Sequence, residues 1–242
     1  MISFIVPAHN EQALLGCTLT ALHNSMSALG EPYEVIVVDD ASTDRTAEIG
    51  REKNARVISV NHRQIAATRN AGAAAATGDI LIFVDADTKA TVPAVRAAMG
   101  VLRGGAVGGG ACVRFDEGRL PLYARFLELI LPTMLRLLRL APGCFVFCTR
   151  QAYLTAGGFD ETLFVAEEVD FAQRLKRQGR FVILREFVIT SARKLRSRSA
   201  LQLLWVGFRL ALGGGKSLRT REGLDFWYGP AGGKSSVQPK SS

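Results

Sequence analysis

Asp85 and Asp87 stand two residues apart at the end of the apolar run Ile80-Leu81-Ile82-Phe83-Val84. In an extended chain alternate side chains share a face, about 6.5 Å apart. One carboxylate can then hold a hard divalent cation while the other faces a ribose or a metal-bound water. Mg2+ and Mn2+ favour oxygen ligands of this kind and bridge to substrate phosphates. A solvated acidic loop would give the same pattern, so the pair gains meaning only from its company. A second pair, Asp39-Asp40, closes the run Val35-Ile36-Val37-Val38 and leads into Ala41-Ser42-Thr43-Asp44. Asp39 can accept a hydrogen bond from a base N–H or a ribose hydroxyl, whereas capping of the next helix is the structural alternative for Asp40 and Ser42.

Four further stretches carry usable side chains. Pro7-Ala8-His9-Asn10-Glu11 leaves a strand and turns toward a helix, presenting backbone N–H groups and the Glu11 carboxylate at one edge. Arg69, in Arg69-Asn70-Ala71-Gly72, either anchors a pyrophosphate or locks a loop to Asp79. Gly157-Gly158-Phe159-Asp160-Glu161 is a turn. Six residues later comes Glu167-Glu168-Val169-Asp170, three acidic residues at a helix start, which the helix dipole would favour for structural reasons alone.

The elements that must position these groups follow from the hydropathy pattern. Short β-rich runs at Ile2 to Val6, Glu34 to Val38, Arg56 to Val60 and Asp79 to Val84 alternate with helical segments, which predicts a parallel sheet with right-handed crossovers. Such sheets bind ligands at the carboxyl ends of their strands. The first helix is expected from near Asn10, with Leu14, Leu15, Leu19, Leu22 and Met26 along one face. Ser42 would cap the second. An Ala-rich helix should run from about Gln64 to Ala76 and stop at Gly78, and Thr91 and Pro93 open another toward Leu102. Past Gly104-Gly105 the pattern changes: strands at Val107 to Phe115 and Phe145 to Thr149, a helix at Glu167 to Gln178, and a strand or hairpin at Phe181 to Thr190. This predicts a nucleotide-sugar-binding half at 1–103, an acceptor and catalytic half of the same domain at 104–198, a basic amphipathic helical segment at 199–228 and a disordered tail at 229–242.

Composition narrows the class. The chain has 242 residues, 48% hydrophobic, enough for one sizeable α/β core. Residues 1–100 carry 8 Lys/Arg against 11 Asp/Glu, and the remainder 22 against 11, so an acidic first half is joined to a basic second half. The first half suits a metal site and the second an anionic partner. Cys17, Cys112, Cys144 and Cys148 lack the spacing of a zinc site and read as buried thiols in a reducing cytoplasm. The amino-terminal residues lack the pattern of a signal peptide. No stretch reaches the length of a spanning helix; Leu120 to Leu140 and Leu201 to Leu212 are both interrupted by charges. From Arg193 to Arg221 eight basic residues and no acidic one are interleaved with Leu, Trp and Phe, which suits peripheral contact with an anionic inner membrane face, or packing on the domain with the arginines snorkelling. Nucleic acid is not expected as a partner, because the basic stretch is Leu-rich and carries no recognisable motif.

In their order along the chain, Pro7 to Glu11, Val37 to Asp44, Arg69 to Gly72, Asp85 to Asp87, Gly157 to Glu161 and Glu167 to Asp170 resemble the motifs of family 2 glycosyltransferases with the GT-A fold. The resemblance covers residues 2 to about 198. It implies an α/β, Rossmann-like nucleotide-diphospho-sugar transferase fold, a mostly parallel sheet with flanking helices, a UDP- or GDP-sugar donor, Mn2+ or Mg2+, and inversion at the anomeric carbon. Carried over residue by residue, it places Pro7, Ala8, Glu11 and Asp39 at the nucleoside with Asp40 in support. It places Asp85 at the ribose or a metal water and Asp87 at the metal; beside it, the residues themselves offer Arg69 for a pyrophosphate, Arg193 or Lys194 for the diphosphate unless they form a solvated basic loop, and Glu167 and Asp170 on the acceptor side. Glu168 stands where the family usually has the aspartate that deprotonates the acceptor. Thr190 to Lys194 lacks the histidine that some relatives use as a further ligand. The acceptor is not specified; a lipid or membrane-associated molecule fits the basic segment. A nucleotidyltransferase is the rival enzyme reading, although Pro7 to Glu11 has no glycine for a phosphate loop; a silent nucleotide-sugar-binding or membrane-docking module is the rival outside enzymes.

Overall fold

The computed structural model describes residues 1–116 and 141–193, with Thr133 and Arg136 between them. The apolar stretch Leu120 to Leu140 lies almost wholly outside the described residues, and so do the basic segment at 199–228, the tail and Lys194.

Eight strands form one sheet in the order β3-β2-β1-β4-β7-β6-β8-β5. They are β1 (Ile2–Ala8), β2 (Tyr33–Asp40), β3 (Arg56–Val60), β4 (Ile80–Val84), β5 (Thr88–Lys89), β6 (Gly108–Phe115), β7 (Phe145–Thr149) and β8 (Phe181–Thr190). Strands β1 to β4 pair in parallel, as the alternation of strand and helix requires. Beyond β4 the sheet is mixed: β7 runs antiparallel to both β4 and β6, β8 is parallel to β6, and the two-residue β5 closes the edge antiparallel to β8. Hydrogen bonds therefore run without a break from the predicted nucleotide half into the predicted acceptor half.

The helices are α1 (Leu15–Leu29), α2 (Thr46–Glu52), α3 (Ile65–Ala75), α4 (Val92–Arg103), α5 (Arg150–Ala156) and α6 (Glu167–Lys176). Alternation along each strand divides the core between them. Phe4 and Val6 of β1 join Leu15, Leu19, Leu22, Val95 and Met99 on the face covered by α1 and α4. Ile5 joins Val38, Ala66, Phe171 and Leu175 on the face covered by α3 and α6. Each fully buried side chain of this size contributes about 1.5–3 kcal/mol relative to exposure.

Local rules explain most boundaries. Gln64 and Thr91 accept from the third residue on, Ala67 and Ala94, and so cap α3 and α4. Helix α1 begins at Leu15 rather than Asn10, because the residues before it form a turn with Leu14 and Leu15 N–H groups on the Glu11 carbonyl. Ser42 does not cap α2; the Asp44 carboxylate meets Thr46 N at 2.9 Å, and the Ser42 hydroxyl is engaged elsewhere. Helix α5 was not evident in the sequence pattern, though Thr149 caps it and left-handed Gly157 ends it.

Candidate active site

The carboxyl ends of β2, β1 and β4 are neighbours, with Ala8 opposite Asp39 and Asp85 directly following β4. Two strand spacings, about 10 Å, separate the Asp39 and Asp85 backbones across the sheet, a span suited to a nucleoside at one end and its diphosphate at the other. The loop after β1 is bound tightly to the loop after β2. Asn10 N donates to Ser42 Oγ at 2.9 Å, Glu11 N to Thr46 Oγ1 at 2.8 Å and Gln12 N to Asp44 Oδ2 at 3.1 Å. In return Thr43 N donates to Asn10 Oδ1 at 2.8 Å, and the His9 ring contacts the Asp40 carbonyl at 2.7 Å. The expectation that these backbone N–H groups face a ligand is thereby corrected, since side chains of the neighbouring loop satisfy them. Burial pushes the Asp44 carboxyl up, but hydrogen bonds from Thr46 and Gln12 outweigh it and hold the group below its ordinary range.

Asp40 is a scaffold residue. Its carboxylate accepts from His62 N, Arg63 N and Gln64 N at 2.8, 2.9 and 3.2 Å and from Thr68 Oγ1 at 2.8 Å, fixing the entry to α3. That is a supporting position with no oxygen turned to a substrate. Asp39, 7% exposed, accepts from Ser42 N at 3.3 Å and sits at the strand end beside Ala8. Asn10, Ala41 and Arg63, which border these loops, all have left-handed backbones, with φ of 54°, 54° and 51°.

Asp85-Ala86-Asp87 forms a tight turn closed by Thr88 N on the Asp85 carbonyl. Three other elements staple it: Cys144 O receives Asp85 N at 3.1 Å, Asp87 O receives Ser191 N at 3.1 Å, and Ala86 O receives Thr18 Oγ1 at 2.8 Å. Burial pushes the Cys144 thiol up, and the charges of Asp85 and Asp87 add to the shift.

Arg69 binds the two halves of the site. Its side chain is 2% exposed; Nη2 contacts Asp85 Oδ1 and Gly143 O, each at 3.0 Å, and Nη1 contacts Glu167 Oε1 at 2.8 Å. The expected lock to Asp79 is not what forms, because Asp79 pairs with the Met1 amino group. The Arg69 side chain is buried, with its hydrogen bonds directed to Asp85, Gly143 O and Glu167. The rest of its motif is structural. Asn70 Oδ1 receives Tyr153 Oη and Phe159 N, while its amide donates to Phe159 O and Glu161, shaping the turn after α5. A side chain at Gly72 would strike Ile5 and Val38, so only glycine lets α3 lie this close to β1 and β2.

Glu167, expected on the acceptor side, is buried at 4% exposure and turns inward to Arg69. Burial and the neighbouring Glu168 charge raise its carboxyl, to about 8, against the pull of Arg69. Asp170 pairs with Arg174, whose guanidinium also holds the Ala156 and Gly158 carbonyls, so Asp170 supports the α5–α6 junction. Glu168 follows Glu167 at the start of α6, behind left-handed Ala166 with φ 63°, and its side chain lies along Gly143. Arg193 and Glu11, expected at the diphosphate and the nucleoside, form an ion pair with Nη2 at 2.7 and 2.9 Å from the two carboxylate oxygens. The pair ties the end of β8 to the loop after β1. Thr18, Thr46, Gly143 and Ser191 also shape the site without having been singled out in the sequence; only Thr46, near a helix start, carried a local signal.

Among the described residues no three His, Cys, Asp or Glu side chains form a cluster able to hold a metal alone. Two hard carboxylates are nevertheless what Mg2+ or Mn2+ requires when substrate phosphates complete its shell. Asp85 and Asp87, held in one tight turn at the end of β4, are residues of that type.

A nucleotide-binding parallel half continued by a mixed half, with carboxylates at the strand ends, defines a GT-A glycosyltransferase architecture. Residues 3–162 match Glycosyl transferase family 2, and the chain belongs to that family. Among curated relatives, it is 41% identical over 95 residues to the 4,4'-diaponeurosporenoate glycosyltransferase of Staphylococcus haemolyticus, covering 36% of this chain and 24% of that protein. It is 37% identical over 94 residues to the undecaprenyl-phosphate 4-deoxy-4-formamido-L-arabinose transferase of Edwardsiella ictaluri, covering 36% and 29%. The matched stretch thus spans about a quarter of each relative. Among solved structures, the mannosyltransferase PcManGT of Pyrobaculum calidifontis, in complex with GDP-Man and Mn2+, aligns with TM-score 0.64 at 20% identity over 90% of this chain and 66% of its own. S. aureus TarS 1-349 with UDP-GlcNAc gives 0.58 at 24% identity over 78% and 58%.

Proposed function

We propose that the protein transfers a sugar, with inversion, from a UDP- or GDP-sugar to a lipid or membrane-associated acceptor, using Mn2+ or Mg2+. The observation that carries this reading is Arg69, which draws Asp85 of the strand-end turn and Glu167 of the α6 start to one guanidinium. Donor-side and acceptor-side groups are thereby fixed to each other. Asp39 receives the nucleoside, with Pro7 and Ala8 lining the adjoining strand end. Asp85 and Asp87 would hold the metal, which when bound neutralises the departing diphosphate. Arg193 adds a cation at the same end once a phosphate competes with Glu11 for it. Glu168 takes the proton from the acceptor as the new bond forms. The lipid acceptor is inferred from the names of the two curated relatives. No helix among the described residues is long and apolar enough to cross a membrane.

The nucleotidyltransferase alternative loses ground because it needs backbone N–H groups after β1 for a triphosphate, and those of Asn10, Glu11 and Gln12 are occupied. The test is release of nucleoside diphosphate from UDP-GlcNAc, UDP-Glc and GDP-Man with Mn2+. Turnover of at least one donor is expected, abolished by chelation. Pyrophosphate formation from a nucleoside triphosphate and a sugar phosphate would favour the alternative.

A further inference from the structure

We infer that Gly143 is a positioning residue for Glu168, because the space left by its missing side chain is the seat of the Glu168 side chain. The inference rests on the reading of Glu168 as the base. A Cβ built at Gly143 would lie 3.1 Å from Glu168 Cδ and 3.2 Å from both Cγ and Oε1. One added methyl therefore presses on three atoms in succession, a carboxylate oxygen among them. Gly143 does not have the left-handed backbone that would exclude a side chain on its own account. The restriction comes from what it touches.

The seat cannot easily retreat. Gly143 O accepts from Arg69 Nη2 at 3.0 Å, and the next carbonyl, that of Cys144, accepts from Asp85 N at 3.1 Å. Phe145 then enters β7 opposite Val84. The Gly143 backbone is thus hydrogen-bonded to the same arginine that holds Glu167, the residue before the base. Glu168 is fixed from two sides: helix α6 is held through Glu167 and Arg69, and the side chain lies against the Gly143 backbone. With Gly143 replaced by alanine, the carboxylate must give way by a few tenths of an ångström. Misplacement on the scale of 1 Å costs on the order of 100-fold in rate. Shortening Glu168 to aspartate withdraws the carboxylate by about one C–C bond, roughly 1.5 Å, and also makes room for a methyl group at position 143.

The experiment compares wild type, Gly143→Ala, Glu168→Asp, Gly143→Ala/Glu168→Asp and Glu168→Gln. Each is assayed for kcat and KM in Mn2+-dependent hydrolysis of whichever of UDP-GlcNAc, UDP-Glc or GDP-Man turns over. The thermal shift produced by UDP or GDP with Mn2+ is recorded in parallel. Gly143→Ala should lower kcat about tenfold, with donor KM and the nucleotide-induced shift unchanged. Adding Glu168→Asp to it should lower kcat by much less than the product of the two single losses. Wild-type kcat for Gly143→Ala, or independent losses in the double variant, would overturn the inference. Wild-type kcat for Glu168→Gln would instead overturn the base assignment itself, and an inactive Glu168→Gln beside a fully active Gly143→Ala removes the seat alone. Should Gly143→Ala fail to fold, the double variant decides: recovery of folding on adding Glu168→Asp supports the seat, and an equally unfolded double variant contradicts it.

Discussion

The two ends of the candidate site are held by different forces. Around Asp39 and Asp40 the loops are joined by neutral groups: backbone N–H groups donate to the Ser42 and Thr46 hydroxyls and to Asp39, and the Thr68 hydroxyl donates to Asp40. Around Arg69 the chain relies on buried charge: one guanidinium between Asp85 and Glu167. Hydrogen bonds to backbone are short-range and each contributes about 0.5–1.5 kcal/mol net. A buried ion pair contributes little net stability when intact, yet removing one partner costs about 3–5 kcal/mol. The nucleoside end should therefore tolerate single changes, while the end carrying Glu168 should fail abruptly.

The largest expected effect breaks that comparison at its charged end. Arg69→Ala leaves Asp85 without its cation and Glu167 and Gly143 O without their donor, and should cost about 3–5 kcal/mol, read as a lower denaturant midpoint at unchanged slope. Asp87→Ala should leave the fold intact and reduce Mn2+-dependent donor hydrolysis on the order of 100-fold or more. Ser42→Ala, at the neutral end, removes one acceptor from Asn10 N and should cost about 1 kcal/mol.

A smaller pair of effects sharpens the comparison, because the carboxyls at the two ends are shifted in opposite directions. Asp44 is held below its ordinary range in the folded protein, so the unfolded chain takes up its proton first as pH falls. The contribution of Asp44 is complete above about pH 4 and is lost below it, and Asp44→Asn should flatten the acid limb of a stability profile. Glu167 is raised to about 8, so between its ordinary value near 4.3 and pH 8 the folded state binds the extra proton. Stability should fall as pH rises through that window. Glu167→Gln keeps an oxygen for Arg69 and should flatten this fall, measured by denaturation at pH 6 and pH 8.

This division also explains what the sequence revealed. Apolar runs ending in Asp39, Asp40 and Asp85 disclosed the strands and the carboxylates at their ends, since a parallel strand must be apolar until it reaches the loop where chemistry occurs. The caps at Gln64 and Thr91 were equally local. Arg69 could be singled out but not placed, because its partners lie 16, 74 and 98 residues away. The mixed half of the sheet was hidden for the same reason: strand direction depends on connections, not on composition. Asp40 and Asp170 read as candidate ligands, but their carboxylates are taken up in holding loops, and sequence alone does not separate a carboxylate that binds from one that braces. Gly143 gave no signal, since what distinguishes it is a neighbour 25 residues on.

The central claim is that the carboxylates at the ends of β2 and β4 receive a nucleoside diphosphate through a divalent cation. Calorimetric titration of UDP and GDP into the protein, with and without Mn2+, tests it most directly. At least one nucleotide should bind only with Mn2+, and Asp87→Ala should abolish that binding while the protein remains folded. Absence of binding by either nucleotide, or binding indifferent to both Mn2+ and Asp87, would contradict it.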